Sequence, residues 1–136
     1  MYYLIYRSQT TNPMPEEDLN NLLGQARDRN RSLNITGMLL FFDNKFLQLL
    51  EGEERDVKLV YDSIRTDTRH KDLHILKEGP AEKRLFPGWS MSFRLVSHQD
   101  FANEQAYKDI YKPGTAGALD LVSLFNLLRG KTASRK

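Results

Sequence analysis

Hydrophobic residues follow two different periods along the chain, and the changes of period mark its elements. Tyr2, Tyr3, Leu4, Ile5 and Tyr6 form an unbroken run of strand-favouring residues, so residues 2–7 predict a buried strand. Asn12-Pro13-Met14-Pro15 breaks that run, and Glu16, Glu17 and Asp18 follow it. Pro15 near the first helical position, with acids at the positive end of the helix dipole, predicts a helix start. Leu19, Leu22, Leu23 and Ala26 then recur at the helical period and give the helix one apolar stripe. Two nearly continuous apolar runs come next, 38–42 and 46–50, split by Asp43-Asn44-Lys45. Asp and Asn tolerate positive φ, which predicts a tight antiparallel hairpin with central strands covered on both faces.

Helical spacing returns with Val57, Val60, Tyr61 and Ile64 after Glu53-Glu54. Residues 73–76 and 89–96 predict two further strands, bridged by a loop through Gly79-Pro80 and Phe86-Pro87-Gly88. The order β-α-β-β-α-β-β is an α/β (α+β) arrangement of ferredoxin-like type, with two helices on one sheet face and one extra strand. Leu121, Leu124, Phe125 and Leu128 make a last amphipathic stripe, closed by Gly130, and predict a C-terminal helical appendix. The chain therefore divides into an α/β domain over residues 1–97, a helical extension over 98–130 and a disordered polar tail over 131–136. Two uses of the last helix stay open: covering the sheet face that the first two helices leave bare, or contact between subunits.

Composition narrows the function classes. The 136 residues suit one domain, and 40% hydrophobic with 28% charged residues is ordinary for a globular chain. No stretch approaches the ~18 consecutive apolar residues of a membrane span. The opening Met1-Tyr2-Tyr3 lacks a basic region ahead of the apolar run, so no secretory signal is expected and a cytoplasmic location is. Cysteine is absent, which removes disulfides, thiolate metal sites and cysteine nucleophiles. His70, His74 and His98 are too scattered for a metal site. A net charge of +2 is too balanced to point to nucleic acid.

No Ser/His/Asp order, glycine-rich phosphate loop or HExxH pattern is present, so an enzyme is not expected. More telling are polar residues inside apolar runs. Gln48 lies within Phe46-Leu47-Gln48-Leu49-Leu50, and a buried amide must find partners for its carbonyl and its NH₂. Taken singly, Gln48 fits a polar rim, Tyr6 a core tyrosine, and Trp89 and Met91 two core residues alternating on one strand face.

Taken together they resemble the BLUF family, the blue-light sensors that use flavin. The resemblance rests on Tyr6-Arg7-Ser8, Asn30, Thr36-Gly37, Gln48-Leu49-Leu50-Glu51-Gly52, Asp67-Thr68-Arg69-His70, Arg84-Leu85-Phe86 and Trp89-Ser90-Met91. It runs from about residue 2 to residue 95, and makes 1–97 a BLUF flavin-binding domain. It implies a non-covalent flavin between the first two helices, as FAD, with FMN and riboflavin sharing the same ring. Tyr6 and Gln48 align with the photoactive tyrosine and the switching glutamine, Asn30 with the asparagine on the pyrimidine edge. Ser8, Asp67, Arg69 and His70 fall on further polar contacts near the flavin, and Trp89 and Met91 on the mobile photoactive pair. Arg29 stands just before Asn30, where some members carry another residue type.

The implied function is a photoreceptor. Proton-coupled electron transfer from Tyr6 to the excited flavin switches the Gln48 hydrogen bond and alters C-terminal contacts. With Gln48 on a central strand and Met91 on the neighbouring one, the change passes to the helices after residue 100. The implied partners are flavin, further copies in a homo-oligomer and a downstream signalling protein, with neither nucleic acid nor membrane. The alternative is a ferredoxin-like small-ligand or protein-interaction module without photochemistry. An RNA-binding sheet fits less well, because Met38-Leu39-Leu40-Phe41-Phe42 lacks the basic and glycine pattern of such a strand.

Overall fold

A computed structural model describes residues 1–42, 44–88 and 90–95. Trp89, the Leu121/Leu124/Phe125/Leu128 stripe, the 98–130 extension and the 131–136 tail lie outside the described residues.

The order is β1 (Tyr2–Thr10), α1 (Glu16–Ser32), β2 (Thr36–Phe42), β3 (Lys45–Gly52), α2 (Glu54–Arg65), β4 (His70–Pro80) and β5 (Ser92–Leu95). The strands lie in one five-stranded sheet in the order β4-β1-β3-β2-β5. The pairs β1/β3, β1/β4 and β2/β3 are antiparallel, and β5 joins β2 in parallel. This is the ferredoxin-like arrangement with one added edge strand, as the sequence predicts.

Each predicted apolar stripe turns toward the sheet. Leu19, Leu22, Leu23 and Ala26 of α1 and Val57, Val60 and Ile64 of α2 are buried. Nearly all of them join one cluster with Leu4, Tyr6, Leu39, Phe41, Phe46 and Leu50, which share one sheet face by strand alternation. Burial of these side chains is the main force holding both helices to the sheet, at ~1.5–3 kcal/mol for each large apolar group. The other face is dry too: Ile5, Met38, Leu40, Leu47 and Leu49 are buried, which agrees with strands covered on both sides.

The hairpin is tighter than the sequence suggests, because Phe42 pairs with Lys45 and leaves a two-residue turn, with Asn44 at φ 60°. Pro15 sits one position outside α1 as its N-cap. Asn34, at φ 55°, ends the helix in the left-handed conformation that asparagine tolerates. A Cβ on Gly37 would collide with the Leu49 carbonyl oxygen, so β2 and β3 approach as they do only because residue 37 is glycine.

Strand β4 departs most from expectation. It runs eleven residues rather than four, and Gly79 and Pro80, expected in a loop, pair with Tyr3 and Tyr2. An edge strand is half exposed and needs no apolar alternation, and it tolerates proline because no strand among the described residues pairs with its outer side. Its register against β1 also shifts at Ile5/Tyr6 and Arg7/Gln9, which blurs any two-residue period. Met91 immediately precedes β5, and β2 lies between β5 and Gln48's strand, so the two are not on neighbouring strands.

Candidate functional site

Cross-strand register builds the centre of the site. Tyr6 of β1 stands opposite Gln48 of β3, and Gln48 opposite Leu39 of β2, all on the helix-covered face. The Tyr6 hydroxyl donates to Gln48 Oε1. From its other end Gln48 donates, Nε2 to Met91 Sδ at 3.4 Å. Gln48 is 3% exposed, Tyr6 1% and Met91 fully enclosed, so this series is shielded from water. Burial pushes the Tyr6 phenol well above its ordinary pKa, opposed by the nearby Arg29 charge. Tyr61 of α2 meets the Tyr6 ring edge-on, with centroids 5.4 Å apart.

Beside this series a narrow cleft of about 60 Å³ runs between α1, α2 and the sheet. Leu22, Ala26, Leu39 and Ile64 give it apolar walls, while Tyr6, Gln48, Arg29, Asp67, Arg69 and His70 turn polar groups into it. Asp67 follows α2 and organises the turn into β4. Its Oδ1 accepts from the Arg69 backbone N–H at 2.9 Å, and its carboxylate takes the Arg69 guanidinium at 2.6 Å. That pairing, chiefly the hydrogen bonds from Arg69, lowers the Asp67 pKa and raises that of Arg69. Desolvation lowers the pKa values of His70 and Arg29. The Asp67–Arg69 charges largely cancel, leaving Arg29 as the net positive group on the cleft wall.

Of the predicted site residues, Tyr6, Gln48, Asp67, Arg69 and His70 line the cleft. Ser8 stands behind them, its Oγ 3.2 Å from His70 Nδ1. Asn30, in the last turn of α1, is wholly buried and does not line the cleft, which it meets through Arg29. Its Nδ2 donates to the Ser90 carbonyl at 3.0 Å, and its Oδ1 accepts from Arg29 Nε at 3.3 Å. Sequence reasoning assigned no role to Arg29, Gln25 or the apolar wall residues. A polar side chain three or four residues from another on one helix, as Gln25 and Arg29 are, was the available signal.

A wider groove of about 470 Å³ opens beside the cleft, lined by Thr11, Asn12, Met14, Asp18, Asn21 and Thr68 among others. Gln25 and Arg69 line both spaces, and Arg69 Nη2 donates to Gln25 Oε1 at 3.1 Å where they meet.

Against this geometry, residues 1–92 match the family model described as BLUF, sensors of blue-light using FAD. The chain belongs to the BLUF family. It is 40% identical over 114 residues to the blue light- and temperature-regulated antirepressor BluF of Escherichia coli (strain K12), covering 83% of this chain and 28% of that protein. To the photoactivated adenylate cyclase subunit beta of Euglena longa it is 38% identical over 90 residues, 65% of this chain and 10% of the relative. The chain thus spans only about a tenth of that cyclase subunit's length. Among solved structures, BlsA in its photo-activated state superposes with a TM-score of 0.82 at 27% identity, covering 99% of both chains. BlrB in its dark state gives 0.77 at 28% identity, covering 96% of both.

As a BLUF chain it carries, over residues 1–92, a blue-light sensor module that uses FAD. The residues present fit that cofactor. A flat tricyclic ring needs two apolar walls and a polar edge that both donates and accepts, and the BLUF cleft has both. A cleft of about 60 Å³ would have to widen to take the ring, and Gln25 and Arg69 stand where it meets the larger groove. No helix among the described residues is long and apolar enough to cross a membrane.

Proposed function

We propose that this BLUF chain senses blue light by reorienting the Gln48 carboxamide, with Tyr6 giving up an electron and a proton and Met91 receiving the change. The observation that carries this reading is the buried series from the Tyr6 hydroxyl through Gln48 to the Met91 sulfur, at the wall of a cleft with apolar sides. Flavin in that cleft, excited by blue light, supplies the oxidant. Tyr6 is suited to answer it, because burial holds its phenolic proton firmly until the ring has lost an electron. Gln48 both accepts and donates, so it can take the Tyr6 proton at Oε1 and pass one from Nε2 to the flavin that has taken the electron; return of electron and proton to Tyr6 leaves the amide rotated or tautomerised.

Met91 gives the amide a preferred orientation. A thioether sulfur accepts a weak hydrogen bond but has no proton to give. Turning the amide over would replace N–H···S with a carbonyl oxygen against sulfur lone pairs. The reversed amide is therefore the less stable form, and thermal return restores the Nε2–Sδ contact.

The remaining assignments follow from position. Asn30, Asp67, Arg69 and His70 hold and orient the ring's polar edge, and Ser8 fixes the His70 ring. FAD is the cofactor of this reading, with the ~470 Å³ groove beyond Gln25 and Arg69 open to the part of the molecule beyond the ring. FMN and riboflavin present the same ring to the cleft. The flavin unit extends to about residue 97, and the 98–130 extension carries output.

Output starts at Met91. Its carbonyl accepts from Arg27 Nε at 3.1 Å, and that of Ser90 from Asn30, so α1 and the Met91 segment are tied together. A reversed Gln48 changes the seat of Met91 and the docking of β5 on β2. Contacts of the following segment with a signalling protein, or with a second copy in the cytoplasm, then change. Absorption spectra of the purified protein before and after a blue pulse test the reading. A small reversible red shift is expected, and a protein that takes up no flavin, or a flavin spectrum indifferent to light, overturns it.

A further inference from the structure

A carboxylate on the other face of β3 holds the segment that delivers Met91. Glu51, three residues beyond Gln48, points away from the cleft by strand alternation and is 2% exposed. Its Oε2 accepts the Leu85 backbone N–H at 2.8 Å, and its Oε1 accepts that of Phe86 at 2.7 Å and the Thr36 hydroxyl at 2.8 Å. Arg84 closes the same cluster, donating from Nη1 to Thr36 Oγ1 and the Glu51 carbonyl and from Nη2 to the Asn34 carbonyl. Phe86 is buried at 1% exposure. The connection from β4 to β5 is thus gripped at residues 84–86, five residues before Met91, and again at Ser90 and Met91 by Asn30 and Arg27. These bonds fix the backbone at residues 84–86 and again at Ser90 and Met91, and those made by Arg84, Arg27 and the Glu51 carboxylate are charge-assisted.

We propose that Glu51 is a positioning residue for the light switch, holding the β4–β5 connection so that Met91 Sδ stands in register with Gln48 Nε2. The proposal rests on the Gln48 reading above and adds a residue that touches neither the cleft nor Gln48. Glu51→Gln is the sharpest variant. It preserves volume and one acceptor oxygen, but sets an NH₂ against the Leu85 N–H, donor facing donor.

The test uses flavin-loaded protein. The Met91 methyl signal, recorded by NMR in darkness and assigned with Met91→Leu, should move in Glu51→Gln. Decay of the red-shifted state should slow roughly twofold to tenfold, because the returning amide loses its sulfur partner. Flavin content should stay at the parent level. If both residues act through one sulfur, Glu51→Gln combined with Met91→Leu should decay no more slowly than Met91→Leu alone.

An unmoved Met91 signal with unchanged decay, even beside a lowered melting temperature, overturns the proposal and leaves Glu51 a stabiliser of the loop. Multiplying effects in the double variant overturn it as well. Should Glu51→Gln not fold, Thr36→Val removes two bonds of the cluster, one to Glu51 and one from Arg84, and should move the same signal less far; no movement there overturns the proposal. Failure of the underlying reading is separately visible, since the parent protein would then show no red-shifted state.

Discussion

Tyr6 and Gln48 face each other directly across the β1/β3 pair, and the hydroxyl of one donates to the carbonyl oxygen of the other. Register sets this contact, and a slip of one residue would carry Gln48 to the opposite face of the sheet. Both β1 and β3 are largely buried, so the register is held by the apolar side chains that flank both residues.

Removing the hydroxyl with Tyr6→Phe deletes the phenolic proton and keeps the ring. Flavin should still bind, with the red shift abolished. An undiminished light response in that variant, read as difference absorbance after a blue pulse, would show that the proton comes from elsewhere.

Replacing the amide with Gln48→Leu leaves the Tyr6 hydroxyl buried without its acceptor. A cost of ~1–3 kcal/mol follows, seen as a lower melting temperature, together with retained colour and no shifted state. A normal photocycle would place the switch at another residue.

Asn30→Ala removes the donor to the Ser90 carbonyl and the acceptor for Arg29 at once. Loss of such a hydrogen bond is worth about 1 kcal/mol, so flavin retention measured by titration should weaken roughly fivefold. Unchanged affinity would take Asn30 out of the binding set.

Acid should destabilise the protein through His70. Burial lowers its folded pKa below the ordinary 6.5, so the unfolded chain binds the proton more readily than the folded one. This contribution to stability is present above pH 6.5 and is lost as pH falls toward the lowered value. Melting temperatures recorded from about pH 7.5 to 5.5 should fall, and His70→Gln should flatten that slope. Asp67, held below its ordinary 3.8 by Arg69, acts in a separate and more acid window. An identical slope in His70→Gln would assign the effect to another group.

Gly37→Ala drives a methyl into the Leu49 carbonyl, and backbone cannot move aside as a side chain can. A loss of at least ~1–3 kcal/mol is expected on thermal or urea unfolding. A variant as stable as the parent would mean that β2 and β3 separate without penalty there.

Much of this was legible in the linear pattern. The stripes on both helices and the hairpin follow from apolar spacing alone, because burial rewards side chains at those positions whatever their detailed partners. Gln48 followed by Leu-Leu-Glu-Gly, the Arg69-His70 pair and the Trp89-Ser90-Met91 triplet, at their spacings, carry the family resemblance most specifically. The full length of β4 is not legible in the sequence, since an edge strand with bulges has no strict alternation. Arg29 and Glu51 went unassigned because a charged residue in a sequence gives no sign of which carbonyl, amide or cleft it will meet.

Composition and spacing by themselves determined the element order and the apolar faces, because these depend on local periodicity and on which side chains avoid water; the groups that converge were implied by the family resemblance. Tertiary structure decided that Gln48 lies between the Tyr6 hydroxyl and the Met91 sulfur, with β2 intervening between its strand and β5. It also decided that Glu51 grips the connection from behind. Those relations join residues 34 to 43 positions apart, and only assembly of the sheet brings such pairs within hydrogen-bond distance.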